Sequence, residues 1–225
     1  MSAGSRMRWF ETVSATLAVA AIALAACSDG NDTSGDDDLL RPFSWTLPDG
    51  FAEPVVPADN PMSYAKIELG RHLFYDGRLS GTGDFSCASC HGQGRAFTDG
   101  KPVGVGATGE AHPRNSMSLA NAGYNAAINW SNPVVTRLEQ QALIPMFGEH
   151  PVELGLAGLE DELLATLGAD TTYRRLFGSS FPDDAAPVSL GNVTKAIATF
   201  QRALVSGNSP YDRYRYGGQA GAISA

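Results

Sequence analysis

Two cysteines and a histidine stand within one five-residue run, Cys87-Ala88-Ser89-Cys90-His91. Thiols at this spacing can add to the two vinyl groups of a porphyrin, and the adjoining imidazole can then hold its iron. A dithiol redox pair and half of a zinc site use the same thiols. The first normally sits at a strand-to-helix junction in a thioredoxin-like pattern, which is missing here. The second needs further Cys or His ligands, scarce in a chain with three Cys and four His. One covalently attached haem c, with His91 as proximal ligand, is the expectation.

What lies on the other face of the iron decides between electron transfer and chemistry. A Met or His there makes an electron carrier, whereas an open position admits peroxide. His112, Met117, Met146 and His150 follow the motif. Both histidines precede Pro and also read as loop residues, Met117 also reads as packing, and spacing does not choose among the four.

The elements that must position these residues read as mainly α, a c-type cytochrome-like haem domain with long Gly- and Pro-rich loops. Asn60-Pro61 is a capping residue followed by Pro, and Tyr64, Ile67 and Phe74 recur at near-helical spacing before Asp76-Gly77. From Phe97 to Gly109 glycines recur and large apolar residues are few, which predicts a loop. A helix is expected from Val134 to about Leu143, stopping before Pro145, and another over Leu159, Leu163 and Leu167, ended by Gly168. Leu190, Val193, Ile197, Phe200 and Leu204 form the clearest apolar stripe, within Ser189 to Val205. No segment alternates convincingly with period two.

At the N-terminus, Arg6 and Arg8 precede an uncharged apolar run from Val13 to Ala26, the pattern of a secretion signal. Leu24-Ala25-Ala26-Cys27 closes it like a bacterial lipobox, predicting acylation of Cys27 and a periplasmic, lipid-anchored protein. Residues 1–26 are then signal peptide, 27–44 a flexible tether, since Ser28 to Asp38 lacks apolar side chains, and 45–225 the haem domain. With Cys27 lipidated and Cys87 and Cys90 on haem, no thiol remains for a disulfide. A net charge of −8 over 225 residues argues against nucleic-acid binding.

Several runs together resemble the bacterial di-haem cytochrome c peroxidases and the related MauG-type enzymes. They are Leu69-Gly70-Arg71-His72-Leu73-Phe74-Tyr75-Asp76-Gly77-Arg78-Leu79-Ser80, the cysteine motif, Arg95-Ala96-Phe97-Thr98-Asp99-Gly100, Pro113-Arg114-Asn115, Leu138-Glu139-Gln140-Gln141-Ala142 and Pro151-Val152-Glu153-Leu154-Gly155. Ala111-His112-Pro113-Arg114-Asn115-Ser116 and Phe147-Gly148-Glu149-His150-Pro151-Val152-Glu153 look most like the methanobactin-associated branch.

The resemblance implies that this half of the family's architecture meets hydrogen peroxide. It also implies that Gln141, Pro145 and Glu153 are distal-pocket residues and that Trp130 relays electrons between two haems. Asn115 matches a calcium ligand at the domain junction. Ala107 stands where relatives needing reductive activation place a removable His, so the iron is expected open. Electrons would come from a small cytochrome or cupredoxin, or from an aromatic residue of a protein substrate.

By residue type alone Glu153 is a solvated carboxylate, Gln141 a helical residue, Trp130 a core or surface aromatic and Asn115 a turn residue. A second haem domain is also expected, yet no second Cys-x-x-Cys-His occurs by Ala225, so truncation is the expected explanation. A mono-haem electron carrier without peroxidase activity, or a haem-retaining fragment with a binding role, are the competing readings.

Overall fold

Helix-period apolar residues build the core. A computed structural model of the chain describes residues 34–129 and 132–223, and among them helices are joined by long loops with isolated bridges and no extended strand. The helices are α1 (Ser34–Leu40), α2 (Tyr64–Tyr75), α3 (Cys87–Cys90), α4 (Leu138–Phe147), α5 (Glu160–Ala169), α6 (Thr171–Ser180), α7 (Leu190–Ala203) and α8 (Pro210–Arg215).

The expected α2 forms, but its cap is Ser63, whose hydroxyl accepts from the Lys66 N–H at 3.2 Å. Asn60 is fully buried instead, and its amide donates to Glu139 Oε1 at 2.8 Å, to the Lys195 carbonyl at 3.0 Å and to Thr199 Oγ1 at 3.2 Å. It is a bolt joining the lead-in to α4 and α7, and not a helix cap.

Leu69 and Leu73 of α2 meet Val193, Ala196 and Ile197 of α7 in the main core, with Leu163, Leu167, Leu176 and Phe177 closing it from α5 and α6. The two central helices cross so closely that a β-carbon at Gly70 would collide with the Ala196 carbonyl. Gly70→Ala gains about 1 kcal/mol of helix propensity, but overpacking costs about 1–3 kcal/mol. Here the obstacle is backbone that cannot rotate aside, so a lower thermal midpoint is the expected result of a melting curve.

Three further differences from expectation follow. Ser34–Leu40 is helical within the stretch expected to be tether, because Leu39 packs on the core and Asp37 suits a helix's N-terminal half. Arg41 over the Tyr64 ring at 4.0 Å and Phe43 against Trp45 extend that order toward α2.

The helix expected at Val134 begins at Leu138 and runs through Pro145 to Phe147. Pro145 cannot donate to the Gln141 carbonyl. The turn persists because the Leu154 and Leu156 N–H groups bond the Pro145 and Met146 carbonyls, at 2.8 and 2.9 Å.

Helix α6 was not foreseen. Asp170 caps it, accepting from the Thr172 and Tyr173 N–H groups at 2.8 and 3.3 Å.

Candidate active site

The cysteine motif occupies one helical turn. The Ser86 N–H donates to Ser89 Oγ at 3.0 Å, and the His91 N–H reaches the Cys87 carbonyl at 2.9 Å, so both thiols and the imidazole leave the same short element. After the motif the chain turns sharply, with Ala96 and Phe97 both in the left-handed region at φ 55° and 60°. That region is costly for side-chain-bearing residues. The turn is held by the Phe97 N–H on the Gly92 carbonyl at 2.9 Å and by Ser118 Oγ donating to the Ala96 carbonyl at 2.5 Å.

Its product is the Phe97 carbonyl, 2.8 Å from His91 Nδ1. A proton kept on Nδ1 by that carbonyl leaves Nε2 as the lone-pair donor, the usual way a second partner orients a metal-binding imidazole. Burial holds His91 below the ordinary histidine range, the backbone bonds at Phe97 and Met117 acting in the opposite sense.

The other wall comes from α4 and the segment after it. Gln141 and Pro145 lie four residues apart on one helix face, and the Leu154 and Leu156 pairing described above lays Glu153 alongside. Glu153 is held by its backbone. The Ala107 N–H donates to its carbonyl at 2.7 Å, the Gly81 N–H donates to the Leu154 carbonyl at 2.8 Å, and Glu110 Oε2 accepts from the Val152 N–H at 3.0 Å. A side chain at Gly106 would strike the Val152 carbonyl, which is why glycine stands there. Asn129 Nδ2 donates to Gln141 Oε1 at 3.1 Å, leaving the Gln141 NH2 as a donor for the cleft.

Cys87, Cys90, His91, Gln141, Pro145 and Glu153 thus line one cleft, completed by Phe85, Leu119, Ala122, Ile128, Leu138, Ala142 and Leu154. The cleft is lined mainly by apolar side chains and is partly open to solvent. Neither thiol is in a disulfide, and burial pushes Cys87 up to about 12 and raises Cys90. Two protonated thiols and an oriented imidazole beside an apolar cavity fit a porphyrin attached at both sulfurs. They do not fit a reactive dithiol, which needs a lowered pKa. Burial also raises the Glu153 carboxyl above its ordinary range, with the charge of His112 pulling it part of the way back.

The candidate sixth ligands fare differently. Met146 is buried in the main core, His150 is exposed, and neither lines the cleft. His112 lies behind Glu153, its Nε2 3.4 Å from the Val152 carbonyl. Met117 does line the cleft, but its backbone meets the His91 ring, the side on which an imidazole already stands. Asn115 is exposed and away from the cleft, while Trp130 and Cys27 lie outside the described residues. His112 and Ala107 as neighbours of Glu153 could not be read from spacing, since loop pairing across 40 residues and more brings them there.

The family model of the di-haem cytochrome c peroxidases matches residues 64–220, which takes in both walls of the cleft. The chain belongs to that family. Its members carry c-type haem, and the fold here is theirs.

MauG, the methylamine utilization protein of Methylophilus methylotrophus, is 35% identical over 71% of this chain and 45% of its own length. The cytochrome c551 peroxidase of Pseudomonas aeruginosa is 36% identical over 70% of this chain and 44% of its own. Among solved structures, a MauG-like protein associated with microbial copper homeostasis is 44% identical, with a TM-score of 0.76 over 82% of this chain and 52% of its own. The chain spans about half the length of the relatives it matches.

Proposed function

We propose that this chain is the peroxide-reacting half of a di-haem peroxidase, with one haem c bonded to Cys87 and Cys90 and held by His91. The observation carrying this reading is the convergence of those three residues with Gln141, Pro145 and Glu153 on a single apolar cleft. Bound there, the haem supplies an iron that can coordinate peroxide and exchange electrons with it.

The chain's own residues do the rest. Glu153, ionised and half-buried, takes the proton from one peroxide oxygen and returns it to the other, so that the O–O bond breaks with water as the leaving group. The Gln141 amide donates a hydrogen bond that orients the peroxide. Pro145 and the apolar side chains narrow the cleft and would keep bulk water from competing there. Ala107, bonded through its N–H to the Glu153 carbonyl, offers no side chain able to bind the iron, which supports an open sixth position.

Electrons are supplied by a small cytochrome or cupredoxin, or by an aromatic residue of a protein substrate, and reach this half through a second haem domain with Trp130 as relay. Asn115 contributes to a calcium site at the junction with that domain. Export and acylation at Cys27 place the protein in the periplasm, anchored to the membrane. The test is consumption of one equivalent of hydrogen peroxide by the haem-loaded chain, followed with an electrode. Consumption well ahead of the haem-free chain is expected, and equal rates would sink the proposal.

A further inference from the structure

Next to the cysteine motif lies an aromatic cluster to which the peroxide chemistry assigns no role. Phe74 is fully buried and joins Leu119 and Phe200, and Cys87, Ala88 and Phe97 pack against this group. The Phe74 ring centre is 6.1 Å from that of Phe97, whose carbonyl holds His91, and 5.3 Å from that of Tyr75. Tyr75 is the outer end of the cluster. It is 42% exposed, sits in a shallow groove with Arg71, Gln93 and Leu204, and donates from its hydroxyl to Gln93 Oε1 at 3.3 Å. Gln93 is two residues beyond His91, so the phenol rests on the segment that carries the iron ligand.

We propose that Tyr75 is an oxidation site of this chain, the surface residue that gives up an electron when peroxide is reduced in the cleft and no donor is present. The inference rests on the peroxide reading above. A phenol loses an electron readily once its proton has somewhere to go. Phenylalanine rings are far harder to oxidise, so Phe74, Phe97 and Phe200 act only as packed medium between the motif and Tyr75.

The balance closes with hydrogen peroxide as the oxidant. Two Tyr75 phenols each lose one electron and their O–H proton, the protons passing to water at the exposed edge of the ring. The two electrons and two protons convert one peroxide to two waters with cleavage of its O–O bond. Two tyrosyl radicals from separate chains can then form a carbon–carbon bond between their rings, giving dityrosine.

Exposure alone predicts a different site. Tyr211, Tyr214 and Tyr216 are 58, 44 and 46% exposed, at least as open as Tyr75, but they lie on α8 and at its end, outside the Phe74 cluster. The experiment treats the full haem-loaded chain with hydrogen peroxide in the absence of reductant, with and without a nitroso spin trap. It maps dityrosine and trap adducts by peptide mass spectrometry and records the haem absorption in the same samples.

Tyr75 is expected to be the principal modified tyrosine, and Tyr75→Phe, which keeps the ring packing, to lose the crosslinked dimer. A haem band that responds to peroxide while Tyr75 is modified no more than Tyr211 or Tyr214 would overturn this proposal and leave the peroxide reading standing. A haem band that does not respond would overturn both. Mapping on the unaltered chain decides the matter even if the variant loads haem poorly.

Discussion

Glu153→Gln slows the reaction of the haem-loaded chain with hydrogen peroxide by about 10²–10⁴-fold, the usual range for loss of a positioned acid–base group. The replacement keeps the volume of the side chain and its hydrogen-bonding reach, and Glu153 is placed by the Ala107 N–H on its carbonyl and by the next residue, Leu154, whose N–H bonds the Pro145 carbonyl, so the cleft should keep its shape. What is lost is the ability to accept a proton.

The pH profile separates this from a packing defect. Burial raises the carboxyl, so its ionised form disappears while the pH is still above the ordinary glutamate range, and the peroxide rate of the unaltered chain falls as the pH drops through that raised value. Glu153→Gln abolishes this acid limb. His112→Asn removes the charge that pulls the carboxyl back down and moves the limb to higher pH. Stopped-flow rates across the acid range measure all three, and an unchanged rate in Glu153→Gln would remove that residue from the chemistry.

Glu139→Ala is expected to cost about 3–5 kcal/mol of folding stability, because it leaves a buried arginine without its counter-charge. Arg202 is 3% exposed, donates from Nη2 to Glu139 Oε1 at 3.0 Å, and has no partner at Nη1 among the described residues. Asn60 donates to the same carboxyl oxygen, so the lead-in, α4 and α7 all come loose together. A loss of that size is a large share of a typical domain's total stability. Urea denaturation of the haem-loaded chain measures it, and adding Arg202→Met to Glu139→Ala should recover much of it by removing the orphaned charge.

Burial alone would raise the Glu139 carboxyl, but the Asn60 amide and the Arg202 charge outweigh it and hold the group below the ordinary range. With a folded pKa below the unfolded one, the stabilisation is complete above the ordinary glutamate value and is lost as the pH falls through the depressed one. A Glu139→Ala chain as stable as its parent would show that the pair does not hold α4 to α7.

The parts of the fold legible in the sequence are those whose cause is local. Cys87, Cys90 and His91 announce themselves because one helical turn carries all three donors. Helix α7 does so because Leu190, Val193, Ile197 and Phe200 keep one stripe through three turns. Helix α6 carried a readable signal too, Asp170 as cap followed by Tyr173, Leu176 and Phe177 on one face, which its shortness and the nearby Gly178 and Ser179 obscured.

Asn60 and Pro145 misled because each obeys a local rule that tertiary contacts override. Asn60 before a Pro looks like a cap, and burial against Glu139 makes it a bolt. Pro145 looks like a stop, and bonds from Leu154 and Leu156 carry the helix past it. Glu153 could not have been chosen by residue type at all. Its place beside Gln141 depends on those same long-range bonds, and in the sequence only likeness to the peroxidase family marks it.

The proposed cleft holds a haem iron open to peroxide beside Gln141 and Glu153. The absorption spectrum of the purified ferric haem-loaded chain, before and after one equivalent of hydrogen peroxide, tests it most directly. A high-spin spectrum that changes on mixing is predicted. A low-spin spectrum indifferent to peroxide would mean that a protein side chain fills the sixth position, and the chain would then be an electron carrier.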